Sequence, residues 1–227
     1  MRALLKVIVI LALLFAATFV LIKSTGLLSV AQIEAWLTAA KDLSPLYVGS
    51  IVALLLFADL FIAVPTLTVT ILAGYFLGYS YGALSALLGM QLAGCCGYVI
   101  SRRFGDSVFC FLLKDENKRA EAIASFQRHG FAMILLSRAL PILPEVCACL
   151  AGMTRMPFLK FISAWSLSTT PYVLIAAYAG SLSSLENPKP AILTAIFMSF
   201  FLWCAWFIYH HKNKKVRQNR AEQLINS

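Results

Sequence analysis

Apolar residues fall in long runs separated by short polar stretches. Val7–Ile22 carries no charge, and Tyr81–Ile100, Phe158–Ala179 and Ala191–His210 are continuous apolar segments. A helix of about 20 such residues crosses the hydrocarbon core of a bilayer, so each is read as a transmembrane helix. Two further segments are apolar but interrupted. Leu46–Val64 contains Asp59 and runs into Pro65, and Phe131–Met153 contains Arg138, Pro141, Pro144 and Glu145. Proline removes a backbone donor and clashes with the preceding turn, so neither reads as one straight crossing. The Thr hydroxyls after Pro65 can satisfy freed carbonyls. Both segments are expected to enter the membrane, turn at their prolines and leave on the side they entered.

The two interrupted segments resemble each other. Pro65 precedes Ala73–Gly74 by about two helical turns, and Pro144 stands in the same relation to Ala151–Gly152. Each is followed by a spanning helix, and the topology puts them on opposite sides of the bilayer. That is the inverted repeat by which transporters build a site at midplane. The plainer alternative is two ordinary helices kinked by Pro and Gly. The expected fold is therefore all-α and integral to the membrane: two re-entrant hairpins, each followed by a spanning helix, plus N- and C-terminal transmembrane helices. Residues 1–45 hold the first helix and an interfacial helix over Ser29–Leu43. Residues 46–180 form the core: hairpin one at 46–79, a helix at 81–100, a cytoplasmic segment at 101–130 with a short amphipathic helix at Ala120–Phe126, hairpin two at 131–153 and a helix at 158–179. Residues 181–227 hold the last helix and a basic tail.

Composition supports lipid as the solvent. Hydrophobic residues make up 60% of the 227 residues, charged ones 13%, and the mean hydropathy is +0.81. Soluble domains carry about twice that charged fraction. The net charge of +9 lies outside the apolar runs, which excludes a folded basic face for nucleic acid. Lys and Arg cluster in the N-terminus, in Ser101–Gly130 and in the tail, so these are placed in the cytoplasm, at the cell membrane (the inner one in a bacterium). The six cysteines lie in or beside apolar runs and read as packing residues. The Cys147–Cys149 pair lacks the further ligands that a metal site needs, so neither metal nor cofactor is expected. No Ser–His or Cys–His pair sits at membrane depth, which argues against an enzyme.

Three ionisable residues remain in the interrupted segments. A charge at the centre of a membrane helix costs about 2.5–3.5 kcal/mol on insertion scales, so Asp59, Arg138 and Glu145 each need a reason. Arginine holds phosphate through a planar fork of donors, and a buried Glu takes a proton or cation. Together they suit a phospholipid headgroup whose tails stay in lipid; the plainer alternative is a structural Arg138–Glu145 pair that pins the hairpins. Asp59 is the weakest candidate of the three, since its place in the segment could also put it near an interface. Arg102 and Arg103, at the end of Tyr81–Ile100, are further candidates for lipid binding; Pro65, Gly74, Pro141, Pro144 and Gly152 are assigned to the hairpins.

Over Phe57–Gly180 the chain resembles the DedA or VTT-domain family, also called SNARE-associated. The resemblance rests on Ser137-Arg138-Ala-Leu-Pro141-Ile-Leu-Pro144, on Ala151-Gly152-Met-Thr-Arg155-Met-Pro157-Phe158, and on Gly94, Gly97-Tyr98 and Arg102-Arg103-Phe104-Gly105. It implies two re-entrant hairpins and lipid scrambling or flipping, with proton coupling proposed for the bacterial branch. The classical branch has an acidic residue beside the first proline; here Thr66 and Leu67 follow Pro65, nearer the TVP-like branch. The expected function is translocation of a phospholipid or lipid phosphate, with membrane lipids as partners and proton or cation coupling as an accompanying expectation. The alternatives are a transporter of an ion or small polar solute and a membrane organiser that moves nothing.

Overall fold

The computed structural model describes residues 2–25, 44–62, 64–112, 115–139 and 142–183, with single positions between 35 and 200. The interfacial helix expected at Ser29–Leu43, Pro141, most of Ala191–His210 and the basic tail lie outside the described residues. Among the described residues the fold is all-helical, with six α-helices and one 3-10 turn.

Helix α1, Arg2–Thr25, contains the expected first crossing. It buries Leu4, Val7 and Leu11 on one face, while Leu5, Val9 and Leu13 stand exposed on another. A helix apolar on both faces is at home in lipid or a large core. Helix α2, Pro45–Ala58, starts with a proline at its first turn, where the missing N–H costs nothing. It buries Val48, Val52 and Leu56 at a spacing of four residues. The chain then leaves helical geometry before Pro65, whose ring disfavours helical geometry at the residue preceding it.

Helix α3, Thr66–Leu112, is divided by Gly78, at φ 74° and ψ 173°. That backbone region belongs almost solely to glycine. The expected second arm of hairpin one and the crossing at Tyr81–Ile100 both lie in α3, on either side of this break. Its residues Thr66–Gly105 make the one span among the described residues that is long and apolar enough to cross a membrane; Leu4–Leu13, Pro45–Ala58 and Leu143–Met153 are shorter apolar helices. Leu84, Leu88 and Leu92 line an outward face of α3 at 55%, 53% and 53% exposure. A continuous exposed leucine stripe of this kind marks a surface not meant for water.

Helix α4, Glu116–Leu136, corrects one expectation. The short helix expected at Ala120–Phe126 is part of it, and the polar-to-apolar boundary at Gly130 is not a break. Polarity changes there, but Glu, Lys, Arg, Ala and Leu all favour helix, and no proline intervenes until after Arg138. The 3-10 turn Ser137–Ala139 ends this arm. Helix α5, Leu143–Met153, follows Ile142, whose φ is 71°. At 11 residues it rises about 16 Å, roughly half a hydrocarbon core. Eight of its residues, from Pro144 to Met153, are buried. Helix α6, Phe158–Leu182, covers the expected crossing at 158–179. Its apolarity is diluted by hydroxyl residues, of which Ser166, Ser168 and Thr169 bond other helices.

Two glycine contacts join the halves reciprocally. A Cβ on Gly74, in the first part of α3, would collide with the backbone of Ala177 in α6; one on Gly152, in α5, would collide with the Tyr98 and Arg102 backbone in α3. Each proline-led helix thus lies against the long helix of the other half. Gly180 repeats the first contact from the α6 side, against Ile71. Such backbone approach is what small residues allow between membrane helices.

Candidate functional site

Asp59, Arg138 and Glu145 line one cavity, with Leu56, Leu60, Met90, Ala93, Gly94, Ala148 and Trp165 around them. Two chain breaks deliver the three charges: Asp59 follows the end of α2, while Arg138 and Glu145 lie on either side of the break before α5. Asp59 stands six residues before Pro65 and Arg138 six before Pro144. Opposite charges therefore occupy corresponding positions in the two segments, a register visible in the sequence once both are counted from these prolines.

Asp59, the weakest of the three candidates by sequence, is 8% exposed. Its Oδ1 accepts a hydrogen bond from the Val64 N–H at 2.7 Å, closing the turn that follows α2 and tying the carboxylate inward. Glu145 lines the same cavity. Glu145 Oε2 is buried without a hydrogen-bond partner among the described residues. Such an acceptor is costly and is kept where it does something.

Arg138 does not pair with Glu145 in the way the structural alternative requires. Its Nη2 donates to Thr169 Oγ1 at 3.1 Å, and its guanidinium lies 5.2 Å from the ring centroids of both Trp165 and Tyr172. The turn that leads into it is tied as well: Ser137 Oγ donates to Ile134 O at 2.7 Å and Ser168 Oγ to Leu135 O at 3.1 Å. Trp165 is anchored by Nε1, which donates to Met90 O at 3.2 Å, and its indole fills the place a Cβ of Gly94 would take. Sequence reading missed Trp165, Thr169 and Tyr172. Their spacing of four and then three residues puts them on one helix face, a signal that was present but looked like ordinary helix packing.

The other assigned residues divide. Pro65 and Pro144 lead α3 and α5, and Gly74 and Gly152 make the reciprocal contacts. Arg102 and Arg103 are exposed and lie outside the cavity lining. Arg102 Nη1 bonds Tyr98 Oη and, at 3.4 Å, Met156 O; Arg103 stacks on its neighbour Phe104. The space left between the cavity side chains has the room of about one water molecule. Among the described residues no cluster of His, Cys, Asp or Glu could hold a metal.

Among the described residues, an all-helical fold with large exposed apolar side chains and three charged residues on one cavity is that of a membrane protein. Residues 64–182, more than half of the chain, match the VTT domain, and the chain belongs to that family, of DedA type. It is 26% identical over 180 residues to an uncharacterised membrane protein of Synechocystis sp., covering 69% of this chain and 80% of that one. It is 29% identical over 153 residues to an uncharacterised membrane protein of Mycobacterium leprae, covering 61% and 65% respectively. It is 26% identical over 108 residues to undecaprenyl phosphate transporter A of Bacillus subtilis, covering 46% and 54%. No solved structure matches the chain.

Proposed function

We propose that this protein moves a phosphate-bearing membrane lipid between leaflets, with Arg138 taking the phosphate and Asp59 and Glu145 completing the site. The observation that carries this reading is the convergence of the three charges from two chain breaks on one cavity in an otherwise apolar bundle. Burying them without function would cost several kcal/mol. The likeness to a transporter named for a lipid phosphate supports the same substrate chemistry.

In this reading the two broken segments are re-entrant hairpins of an inverted repeat, and the reciprocal glycine contacts support a two-fold relation between the halves. The N-terminus, residues 101–130 and the tail face the cytoplasm by their charge. Arg102 and Arg103 receive headgroups at the cytoplasmic rim. A headgroup is far larger than one water, so in this reading it enters only after the two breaks part.

A second reading is a carrier for protons or a small cation. It is favoured by the size of the cavity and by the facing carboxyls of Asp59 and Glu145. The two are separated in proteoliposomes holding a fluorescent phospholipid that external dithionite bleaches. Lipid translocation predicts bleaching beyond the outer leaflet, abolished by Arg138→Ala. A proton flux measured with a trapped pH dye, with bleaching stopping at the outer leaflet, would instead favour the second reading.

A further inference from the structure

Three residues of α6 surround Arg138. Trp165, Thr169 and Tyr172 lie on one face, and residues seven apart stand about 10.5 Å apart along a helix axis. A guanidinium 5.2 Å from both ring centroids therefore lies between the rings, with Thr169 Oγ1 at 3.1 Å in the interval. Each ring has its own anchor. Trp165 is held by its bond to Met90 O and by the missing side chain of Gly94; Tyr172 Oη lies 3.5 Å from Thr66 Oγ1, at the start of α3.

Resting on the proposed role of Arg138, we infer that Trp165, Thr169 and Tyr172 are positioning residues that fix the guanidinium plane and so select a ligand offering two oxygens in that plane. The physical basis is that arginine presents its donors in a rigid fork. An unrestrained arginine side chain loses rotamer freedom each time it binds; one already held beside two rings and a hydroxyl has lost part of it beforehand. The two rings flank the guanidinium and Thr169 takes one donor, leaving its other donors for the cavity that Arg138 shares with Asp59 and Glu145. A phosphate or similar oxyanion meets such an edge with two bonds, whereas a single carbonyl meets it with one.

The test uses the full chain with Trp36, Trp203 and Trp206 replaced by phenylalanine, so that Trp165 alone fluoresces. Short-chain phosphatidic acid in detergent micelles is the probe, and diacylglycerol of the same chains is the control. Phosphatidic acid is expected to change Trp165 emission saturably and diacylglycerol is not, with the response lost in Arg138→Ala. In proteoliposomes Trp165→Phe keeps a ring and is expected to retain most transport, while Trp165→Leu and Thr169→Val lose about tenfold. Wild-type rates in Trp165→Leu and Thr169→Val beside an inactive Arg138→Ala would overturn the cradle and leave the role of Arg138 standing. Wild-type rates in Arg138→Ala would remove the reading on which the cradle rests. Should Trp165→Leu fail to fold, a flat emission response to phosphatidic acid in the active single-tryptophan protein would overturn the inference by itself.

Discussion

The carboxylate of Asp59 accepts the Val64 N–H at 2.7 Å, so one side chain both closes a turn and faces the charge cluster. These roles separate by substitution. Asp59→Asn keeps an acceptor for Val64 and is expected to fold as the natural protein does, with translocation lost. Asp59→Ala strands the N–H and is expected to lose about 1–3 kcal/mol of stability as well. Thermal unfolding in detergent beside the bleaching assay reads both; an active Asp59→Asn protein would take this carboxylate out of the mechanism.

Gly74 and Gly78 are four residues apart and are expected to fail for different reasons. Gly74→Ala drives a methyl into the Ala177 backbone and should separate α3 from α6, at a cost of about 1–3 kcal/mol or more. Gly78→Ala meets nothing within 4 Å but must adopt φ 74° and ψ 173°, at a cost of about 1–3 kcal/mol. An Ala177→Gly change is expected to relieve neither defect, because the first clash is with the backbone of Ala177 and the second is conformational; melting temperatures of the single and double variants read this.

Pro144 sits in the first turn of α5, where no helical hydrogen bond is missing. Pro144→Ala is therefore expected to fold, with a stability change within about 1 kcal/mol. Translocation should fall, because the break that brings Arg138 and Glu145 to one cavity is no longer enforced. A Pro144→Ala protein with natural transport rates would show that the break does not depend on this ring.

Arg138 and Glu145 distinguish mechanism from scaffolding. Arg138 bonds Thr169 rather than Glu145, so losing either residue breaks no direct ion pair, and single variants are expected to stay folded with poor transport. The double change Arg138→Met with Glu145→Leu removes both buried charges and is expected to be at least as stable as the natural protein and inactive. Stability and full activity together in that variant would exclude both residues from the mechanism.

Much of this was legible in the chain. Pro65 and Pro144 mark the ends of broken segments because proline acts locally on its own backbone and on the residue before it. Asp59, Arg138 and Glu145 stand out because charge in an apolar run is expensive wherever it lies. The continuity of α4 was not legible, since the drop in polarity near Gly130 reports environment and not backbone geometry. Nor was the burial of Asp59, which depends on a turn closed by Val64 and on Glu145 arriving from the other half. The pairing of Gly94 with Trp165 is a contact between distant positions, and neither residue alone announces it. Trp165, Thr169 and Tyr172 were in plain view at helical spacing, but their partner lies on a different element.

The reciprocal contacts at Gly74 and Gly152 also set an order of events during synthesis. The first part of α3 leaves the ribosome early, yet the backbone it rests on, at Ala177, emerges about a hundred residues later. At roughly 5–20 residues per second, that delay is on the order of 5–20 s. Until Arg138 and Glu145 are made, Asp59 has neither beside it, and the Gly74 groove lies open until Ala177 follows. A nascent chain released or stalled between Gly105 and Arg138 would be left in that condition, with an unaccompanied acidic side chain and a naked helix groove, a form that membrane quality control is suited to recognise.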